Sequence, residues 1–291
     1  MKQNKGVPRS NLRIGTCSWK YPSWEGLVYS KAEGIDYLAE YARKFTTVEI
    51  DQWFWCLPEP STVAEYAAAV PKDFRFTVKV PNQITLTHFY KQRKDGDLVP
   101  NPDFLSPAVF KDFLSVLEPL RELTGCLIFQ FEYLNKKKME SKEAFLSRLD
   151  EFFSSSKLSS ALPKWTCAVE PRNPNFLSSE YFDFLGSHGL GHTFLQGYYM
   201  PPIVPIYEKF APALRGTHVV RLHGPDREGM EKLTGEKWDR IAAPKDAELS
   251  GIVDMTRDML SRGLVVYLNV NNHYEGSGPL TIEKLRRMLG Q

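Results

Sequence analysis

Strand-like runs alternate with helical segments along almost the whole chain, and this alternation constrains the fold more than any other feature. The runs are rich in β-branched and aromatic residues and are bounded by turn formers. We predict strands at residues 13–18, 75–80, 125–131, 165–172, 192–198, 218–224 and 264–272. Residues 46–55 are predicted as a further short strand that runs into an acidic and then aromatic tip. Strands that alternate with helices indicate parallel βα units rather than hairpins.

Amphipathic spacing predicts the helices between these strands. We predict helices at residues 34–44, 61–70, 107–120, 141–153, 178–187, 246–262 and 280–289. Ser61 is expected to be the N-cap of the second helix. The connection at about 81–107 is long and mixes aromatic with charged residues, a pattern typical of functional or mobile loops.

Eight βα units in 291 residues predict an α/β protein with a TIM-like (β/α)₈ barrel. We expect one barrel domain over residues 13–291, preceded by a flexible leader at residues 1–12. A doubly wound sheet is the alternative. It is disfavoured because no glycine-rich phosphate fingerprint follows the first strand.

Composition and charge disfavour several classes of protein. A net charge of +2 is too small to indicate bulk binding to nucleic acid or to a membrane. The N-terminus lacks the apolar core of a signal peptide, and no apolar run approaches the length of a membrane span. The four cysteines form no Cys-x-x-Cys pair, so neither a zinc site nor a disulfide framework is predicted. We expect a cytoplasmic protein in which Cys126 and Cys167 are core residues.

Polar residues collect where the predicted strands end. Inward side chains at the C-terminal strand ends form the active face of a (β/α)₈ barrel. Alternation along the strands places there Glu49, Asp51, Lys79, Gln130, Glu170, Arg172, Arg221, His223, Asn269 and Asn271, with Asn272 just beyond. Solvation alone does not explain so many polar groups inside strands, so we predict a polar pocket. Structural ion pairs, such as Glu49 with Lys79, are the alternative.

These residue types favour acid–base chemistry. Glu49 and Glu170 would flank a central pocket as acid and base, and His223 has the intrinsic pKa range for proton transfer. Lys79, Arg172 and Arg221 are suited to binding a carboxylate or phosphate. No cofactor is predicted, because a divalent metal at the two glutamates would be repelled by these three cations.

Aromatic residues also lie at or after the predicted strand ends, where they could stack on a sugar or a base. They are Trp19, Tyr21, Trp24, Trp53, Trp55, Phe89, Tyr90, Tyr198 and Tyr199. We predict substrate contacts for Trp19 and Trp53. Packing beneath the loops of the barrel mouth is the alternative for each ring.

The motifs resemble those of the YecE-like family, domain-of-unknown-function family number 72, over nearly the whole chain. The matching motifs are Ile14-Gly15-Thr16-Cys17-Ser18-Trp19 with Trp24, Val48-Glu49-Ile50, Phe74-Arg75-Phe76-Thr77-Val78-Lys79-Val80-Pro81 with Thr87-His88, Phe129-Gln130, Ala168-Val169-Glu170 with Arg172-Asn173-Pro174, Val220-Arg221-Leu222-His223-Gly224, and Asn271-Asn272-His273 with Gly276. Pro171 and the sequence Leu195-Gln196-Gly197 depart from the commonest family pattern. At Leu195-Gln196-Gly197, this sequence lacks the aspartate that often ends strand six in the family.

The resemblance implies a TIM-barrel-like fold and supplies no reaction. It also implies that the family's polar positions at the barrel mouth are Glu49, Lys79, His88, Gln130, Glu170, Arg172, Arg221, His223, Asn271 and Asn272. Our first hypothesis is a hydrolase or isomerase acting on a small anionic or sugar-like substrate. The alternatives are a non-catalytic protein that binds a nucleotide or a nucleic-acid end, and a scaffold that contacts a partner protein through the loop at 81–107.

Overall fold

A computed structural model describes residues 11–31, 34–90 and 96–291 of the chain. Eight parallel strands form a closed barrel in sequence order, and the last strand pairs with the first. The strands are β1 (Leu12–Thr16), β2 (Thr47–Ile50), β3 (Arg75–Lys79), β4 (Thr124–Gln130), β5 (Cys167–Glu170), β6 (Gly191–Gly197), β7 (Thr217–Gly224) and β8 (Val265–Val270). The predicted (β/α)₈ architecture is therefore confirmed.

Helices connect the strands and surround the barrel. They are α1 (Tyr37–Lys44), α2 (Pro60–Ala69), α3 (Asn82–Thr85), α4 (Pro107–Leu117), α5 (Lys142–Phe153), α6 (Ser179–Ser187), α7 (Ile203–Phe210), α8 (Arg227–Thr234), α9 (Asp246–Ser261) and α10 (Gly278–Leu289). Serine or aspartate side chains cap several N-termini; Ser141, for example, accepts a hydrogen bond from the Ala144 amide at 3.1 Å. None of the described helices combines the length and apolarity needed to span a bilayer.

The second strand differs most from its prediction. Residues 46–55 were predicted as a short strand that runs into an acidic and then aromatic tip; β2 ends at Ile50, and Gln52–Phe54 of the tip form a 3₁₀ turn. The strand ends at Asp51, whose backbone is already helical (φ −83°, ψ −33°). The predicted N-cap at Ser61 was wrong: α2 begins one residue earlier, at Pro60, whose fixed φ suits the first helical position.

Three helices were not predicted, namely α3, α7 and α8. The α8 helix carried a readable signal, because Asp226 accepts from the Gly229 amide at its start and Gly235 adopts a left-handed conformation at its end. The predicted leader overlaps β1, which already includes Leu12. Residues 1–10 lie outside the described residues.

The long connection at 81–107 contains α3 and is tied together by one side chain. Asn101 is buried, and its Nδ2 donates to the carbonyl oxygens of Gln83 at 2.8 Å and Leu86 at 2.7 Å. A short antiparallel bridge joins His88 to Pro100. Residues 91–95 of this connection lie outside the described residues.

The apolar core has two parts. The larger part lies between the strands and the helices, where α4, for example, buries Phe110, Phe113, Leu114 and Leu117 on one face. Each such side chain contributes about 1.5–3 kcal/mol by its removal from water. The smaller part fills the barrel interior with Cys126, Ile128, Ala168, Val219 and Tyr267. Cys126 and Cys167 are both buried, as predicted.

Candidate active site

The C-terminal end of the barrel interior is lined by charged and amide side chains. They come from six strands, and each is at most 5% exposed: Glu49 of β2, Lys79 of β3, Gln130 of β4, Glu170 of β5, Arg221 of β7 and Asn269 of β8. The register places Gln130 beside Glu170 and Arg221 beside Asn269. Strand alternation thus brings together the residues that the sequence analysis selected from these strands.

Arg221 lies at the centre of this network and is fully buried. Its Nε and Nη2 donate to the two carboxylate oxygens of Glu49 at 2.8 and 2.7 Å. Its Nη1 donates to Glu170 Oε2 at 2.7 Å and to Gln130 Oε1 at 3.2 Å. Arg221 therefore holds two carboxylates in place, and the predicted direct contact between Arg221 and a substrate anion is not supported by this placement.

Glu170 is held as a carboxylate by two arginines. Arg172, whose side chain is about one-fifth exposed (21%), donates from Nε to Glu170 Oε1 at 3.2 Å. Burial alone would raise the pKa of Glu170, but the positive charges of Arg221 and Arg172 lower the pKa overall. Glu170 is therefore ionised at neutral pH, and it is poorly suited to be the proton donor.

Lys79 and Asn269 complete the surroundings of Glu49. Lys79 donates to Asp51, the residue after β2, and its Nζ lies 3.9 Å from Glu49 Oε1. Asn269 Nδ2 donates to Glu49 Oε2 at 3.1 Å and to Thr77 Oγ1 at 2.8 Å. Asp51 is thus more central than a loop position would suggest.

The charges at the mouth are balanced. The carboxylates of Glu49, Asp51 and Glu170 face the cations of Lys79, Arg172 and Arg221. Such mutual neutralisation is what keeps several buried charges compatible with a folded barrel.

His223 forms a second, uncharged group at the same end. Its Nε2 lies 3.6 Å from Cys17 Sγ, and its Nδ1 lies 3.3 Å from the Tyr198 hydroxyl. Burial lowers the pKa of His223 well below its usual range, and the nearby Arg221 lowers it further. Burial also raises the pKa of the Cys17 thiol. His223 is therefore a neutral imidazole between a thiol and a phenol.

Cys17 was not predicted as a site residue, and Tyr198 was named only among the aromatic residues that could stack on a ligand. For Cys17 the signal was available, because alternation along β1 continues from Arg13 and Gly15 to an inward Cys17. For Tyr198 the sequence signal was weaker, because the register of β6 against β7 shifts between Gln196 and Gly197, just before Tyr198.

Three predicted substrate-binding residues lie apart from this network. His88 is half-buried, and its Nδ1 lies 3.0 Å from Thr87 Oγ1 at a separate cavity of about 430 Å³. Trp53 is 2% exposed and stacks on Tyr66 with ring centroids 5.5 Å apart. Trp19 meets Tyr66 edge to face. Both tryptophans pack against the core, and Trp19 also lines a cavity of about 680 Å³ together with Tyr66. Their contact with a substrate remains a prediction.

Asn271 and Asn272 shape the loop after β8. Asn271 Oδ1 accepts from the His273 amide at 3.0 Å, and Asn272 Oδ1 accepts from the Gly278 amide, the first residue of α10, at 2.8 Å. Among the described residues, Asn272 Nδ2 is buried without a hydrogen-bond partner. Their predicted role in substrate binding remains a prediction.

Within residues 11–31, 34–90 and 96–291, no cluster of three or more His, Cys, Asp and Glu side chains has an arrangement suited to a metal ion.

Several known proteins similar to this chain belong to one family. "UPF0759 protein YecE" of Escherichia coli (strain K12) is 33% identical over 114 residues, which span 39% of this chain and only 35% of that relative. Among solved structures, a DUF72 family protein from Enterococcus faecalis V583 superposes with a TM-score of 0.68 at 18% identity, covering 96% of each chain. A DUF72 family protein from Thermotoga maritima MSB8 gives 0.65 at 21% identity, covering 96% of this chain and 99% of the other. The family model described as "Protein of unknown function DUF72" matches residues 13–291, and the chain therefore belongs to this YecE-like family.

Proposed function

We propose that this chain is an enzyme that performs acid–base chemistry on a small anionic or sugar-like substrate at the C-terminal mouth of the barrel. The observation that carries the proposal is the fully buried Arg221 between Glu49 and Glu170. Burying an ion network is costly, and apolar residues often give equal or greater stability. A network kept at the end of the barrel where enzymes of this fold react is therefore better explained by chemistry than by stability.

The contacts suggest a role for each charged group. Glu170 acts as the base, because it is ionised at neutral pH. Glu49 accepts from both Arg221 and Asn269, an arrangement that suits a fixed carboxylate and a positioning role. Arg172 is the partly exposed cation that would meet an anionic group of the substrate. A hydrolase or isomerase fits these groups.

The test is turnover of a substrate panel by the wild-type protein and by Glu170→Gln. The panel contains aldoses, sugar phosphates, hydroxy acids and p-nitrophenyl glycosides, followed by proton NMR in D₂O for exchange or isomerisation and by absorbance for hydrolysis. Loss of a positioned base lowers turnover by about 10²–10⁴-fold. Glu132→Gln is the matched control, because Glu132 pairs with Lys138 and lies outside the Arg221 network. Turnover that survives Glu170→Gln unchanged would remove Glu170 from the chemistry.

A second candidate function, binding of a nucleotide or a nucleic-acid end, is favoured by one surface. Phe89 and Tyr90 are about half exposed, and with Lys136, Lys137 and Lys138 they line a cavity of about 530 Å³. Rings and cations together suit stacked bases and phosphates. This function predicts salt-sensitive oligonucleotide binding that Tyr90→Ala weakens. Arg221→Ala does not test it, because Arg221 is buried. Absence of binding at low salt would exclude it.

A further inference from the structure

The barrel mouth holds a pair of donors that the roles above do not use together, the Tyr198 hydroxyl and the outer end of Arg172. We infer that these two groups form a site for an oxyanion, namely the carboxylate or phosphate group of a ligand. The inference rests on the proposed function, since it names the chemical group by which the mouth would hold its substrate.

The backbone around Tyr198 is unusual. Tyr198 has φ +53°, a left-handed conformation that few residues other than glycine adopt, and it follows Gly197 at φ +138°. A side chain at Gly197 would come within 2.3 Å of the Gly224 carbonyl oxygen, so the chain can pass there only as glycine. The Tyr198 amide donates to that same oxygen at 3.0 Å. Strained residues of this kind cluster at functional sites, where neighbours hold them in place.

The ring of Tyr198 is held from two sides. The Arg172 guanidinium carbon lies 5.0 Å from the ring centroid, within cation–π range. On the other side, the Tyr198 hydroxyl lies 3.3 Å from His223 Nδ1. The Tyr198 side chain is therefore fixed between the Arg172 guanidinium over its ring and His223 at its hydroxyl.

The direction in which the Tyr198 hydroxyl donates depends on the tautomer of His223, and the inference requires the Nδ1–H form. If the Cys17 thiol donates to His223 Nε2, the Nδ1–H of the imidazole donates to the Tyr198 oxygen. The Tyr198 O–H is then available to a ligand. Burial keeps the proton on the thiol and keeps the imidazole neutral, so the chain of donors carries no charge that would repel or neutralise an anion.

Arg172 supplies the second donor. Its hydrogen bond to Glu170 uses Nε, and among the described residues Nη1 and Nη2 make no hydrogen bond. The other two cations of the mouth are occupied, Lys79 by Asp51 and Arg221 by the glutamates. A carboxylate or phosphate that reached the mouth would therefore meet a guanidinium edge and a phenol, which together donate to two of its oxygens.

The experiment measures binding of inorganic phosphate and of acetate to the intact chain by isothermal titration calorimetry. Tyr198→Phe keeps the ring and removes the donor, and we expect it to weaken binding about tenfold, as for the loss of a hydrogen bond to a charged group. Arg172→Lys keeps the charge but loses the forked geometry, and we also expect weaker binding. Tyr199→Phe is the matched control, because Tyr199 is an adjacent exposed tyrosine, and its binding should equal that of the wild type.

A second readout separates anion binding from a purely structural role of Tyr198. In protein with ¹⁵N-labelled histidine, His223 should be the Nδ1–H tautomer in the phosphate-saturated wild type, and Tyr198→Phe, which removes the acceptor of that proton, should lose this preference. Equal affinities of the wild type and Tyr198→Phe would overturn the inference, as would equal losses in both tyrosine variants or no binding of either anion. Glu170→Gln separates the two proposals: lost turnover with retained anion binding supports both, whereas retained turnover contradicts only the role of Glu170.

Discussion

The two ends of the barrel interior are built from the same strands and differ completely in chemistry. On β4, β5, β7 and β8 the inward residues Ile128, Ala168, Val219 and Tyr267 belong to an apolar cluster. The next inward residue on each strand, two positions later, is Gln130, Glu170, Arg221 or Asn269. On each of these strands, two residues along the chain therefore separate the apolar core from the buried ion network.

The stability of the fold explains one of these two ends and not the other. The apolar end gains free energy by the removal of side chains from water and by close packing. The polar end must offset the desolvation of Glu49, Glu170 and Arg221 before it contributes anything. Folding thus accounts for the first end, and the second end calls for a function.

The largest effect should come from removing the cation at the centre of the polar end. Arg221→Met keeps an unbranched side chain and leaves Glu49 and Glu170 buried without the guanidinium. We expect the free energy of unfolding at pH 7 to fall by about 3–5 kcal/mol. The deficit should shrink toward pH 5, because protonation relieves the unpaired carboxylates. Urea unfolding at several pH values measures both.

The apolar end supplies the control for this prediction. Ile128→Ala should cost about 2–5 kcal/mol through lost packing, and the loss should not change between pH 7 and pH 5. The triple variant Arg221→Met, Glu49→Leu, Glu170→Leu should recover most of the stability and have no turnover. If Arg221→Met were as stable as the wild type, the network would not be the tightly coupled group that its distances indicate.

The sequence predicted the barrel because its signal repeats. Eight strand-like runs each carried enough period-two alternation to show which side chains point inward, and the same parity brought Glu49, Gln130, Glu170 and Arg221 together. Parity assigns a side chain to a face and does not assign its partner. Parity alone could not show that the Arg221 guanidinium donates its hydrogen bonds to Glu49 and Glu170.

Positions outside the regular strands were harder to predict. Trp53 lies in a turn that period-two alternation does not describe, and it stacks on Tyr66 of α2 rather than facing the mouth. Tyr198 follows a register shift and has a left-handed backbone, so its location depends on Gly224 of the neighbouring strand. Local sequence contains neither of these long-range contacts.

A smaller effect concerns the dependence of the free energy of unfolding on pH. Buried histidines on the outer strand faces and the carboxylates of the polar mouth should act in different pH ranges. His192 and His218, on β6 and β7, are buried, and burial lowers their pKa values to about 3 and about 4. Both are neutral in the folded chain at pH 5, while the unfolded chain binds protons below about pH 6.5. Each histidine should therefore lower the free energy of unfolding by about 2 kcal/mol between pH 7 and pH 5.

The variant His192→Asn tests this pH response. It should flatten the dependence of stability on pH between 7 and 5, whatever its stability at pH 7. Glu170 acts in another range, because its lowered pKa makes its contribution disappear only as the pH falls below about 4.5. An unchanged slope in His192→Asn would show that His192 is protonated in the folded chain.

The smallest expected change in stability concerns a polar residue in the apolar part of the barrel interior. Thr193 of β6 pairs in register with Val219 and is buried, and among the described residues its hydroxyl has no hydrogen-bond partner. Thr193→Val keeps the shape and removes the unpaired hydroxyl, so we expect the free energy of unfolding to rise by about 1 kcal/mol. Thr281→Val is the contrasting control, because the Thr281 hydroxyl donates to Glu275 Oε2 at 2.8 Å and its loss should destabilise the chain. If Thr193→Val were instead destabilising, a bound water or ligand would satisfy this hydroxyl, and the polar region of the interior would extend further toward the N-terminal end than the charged residues indicate.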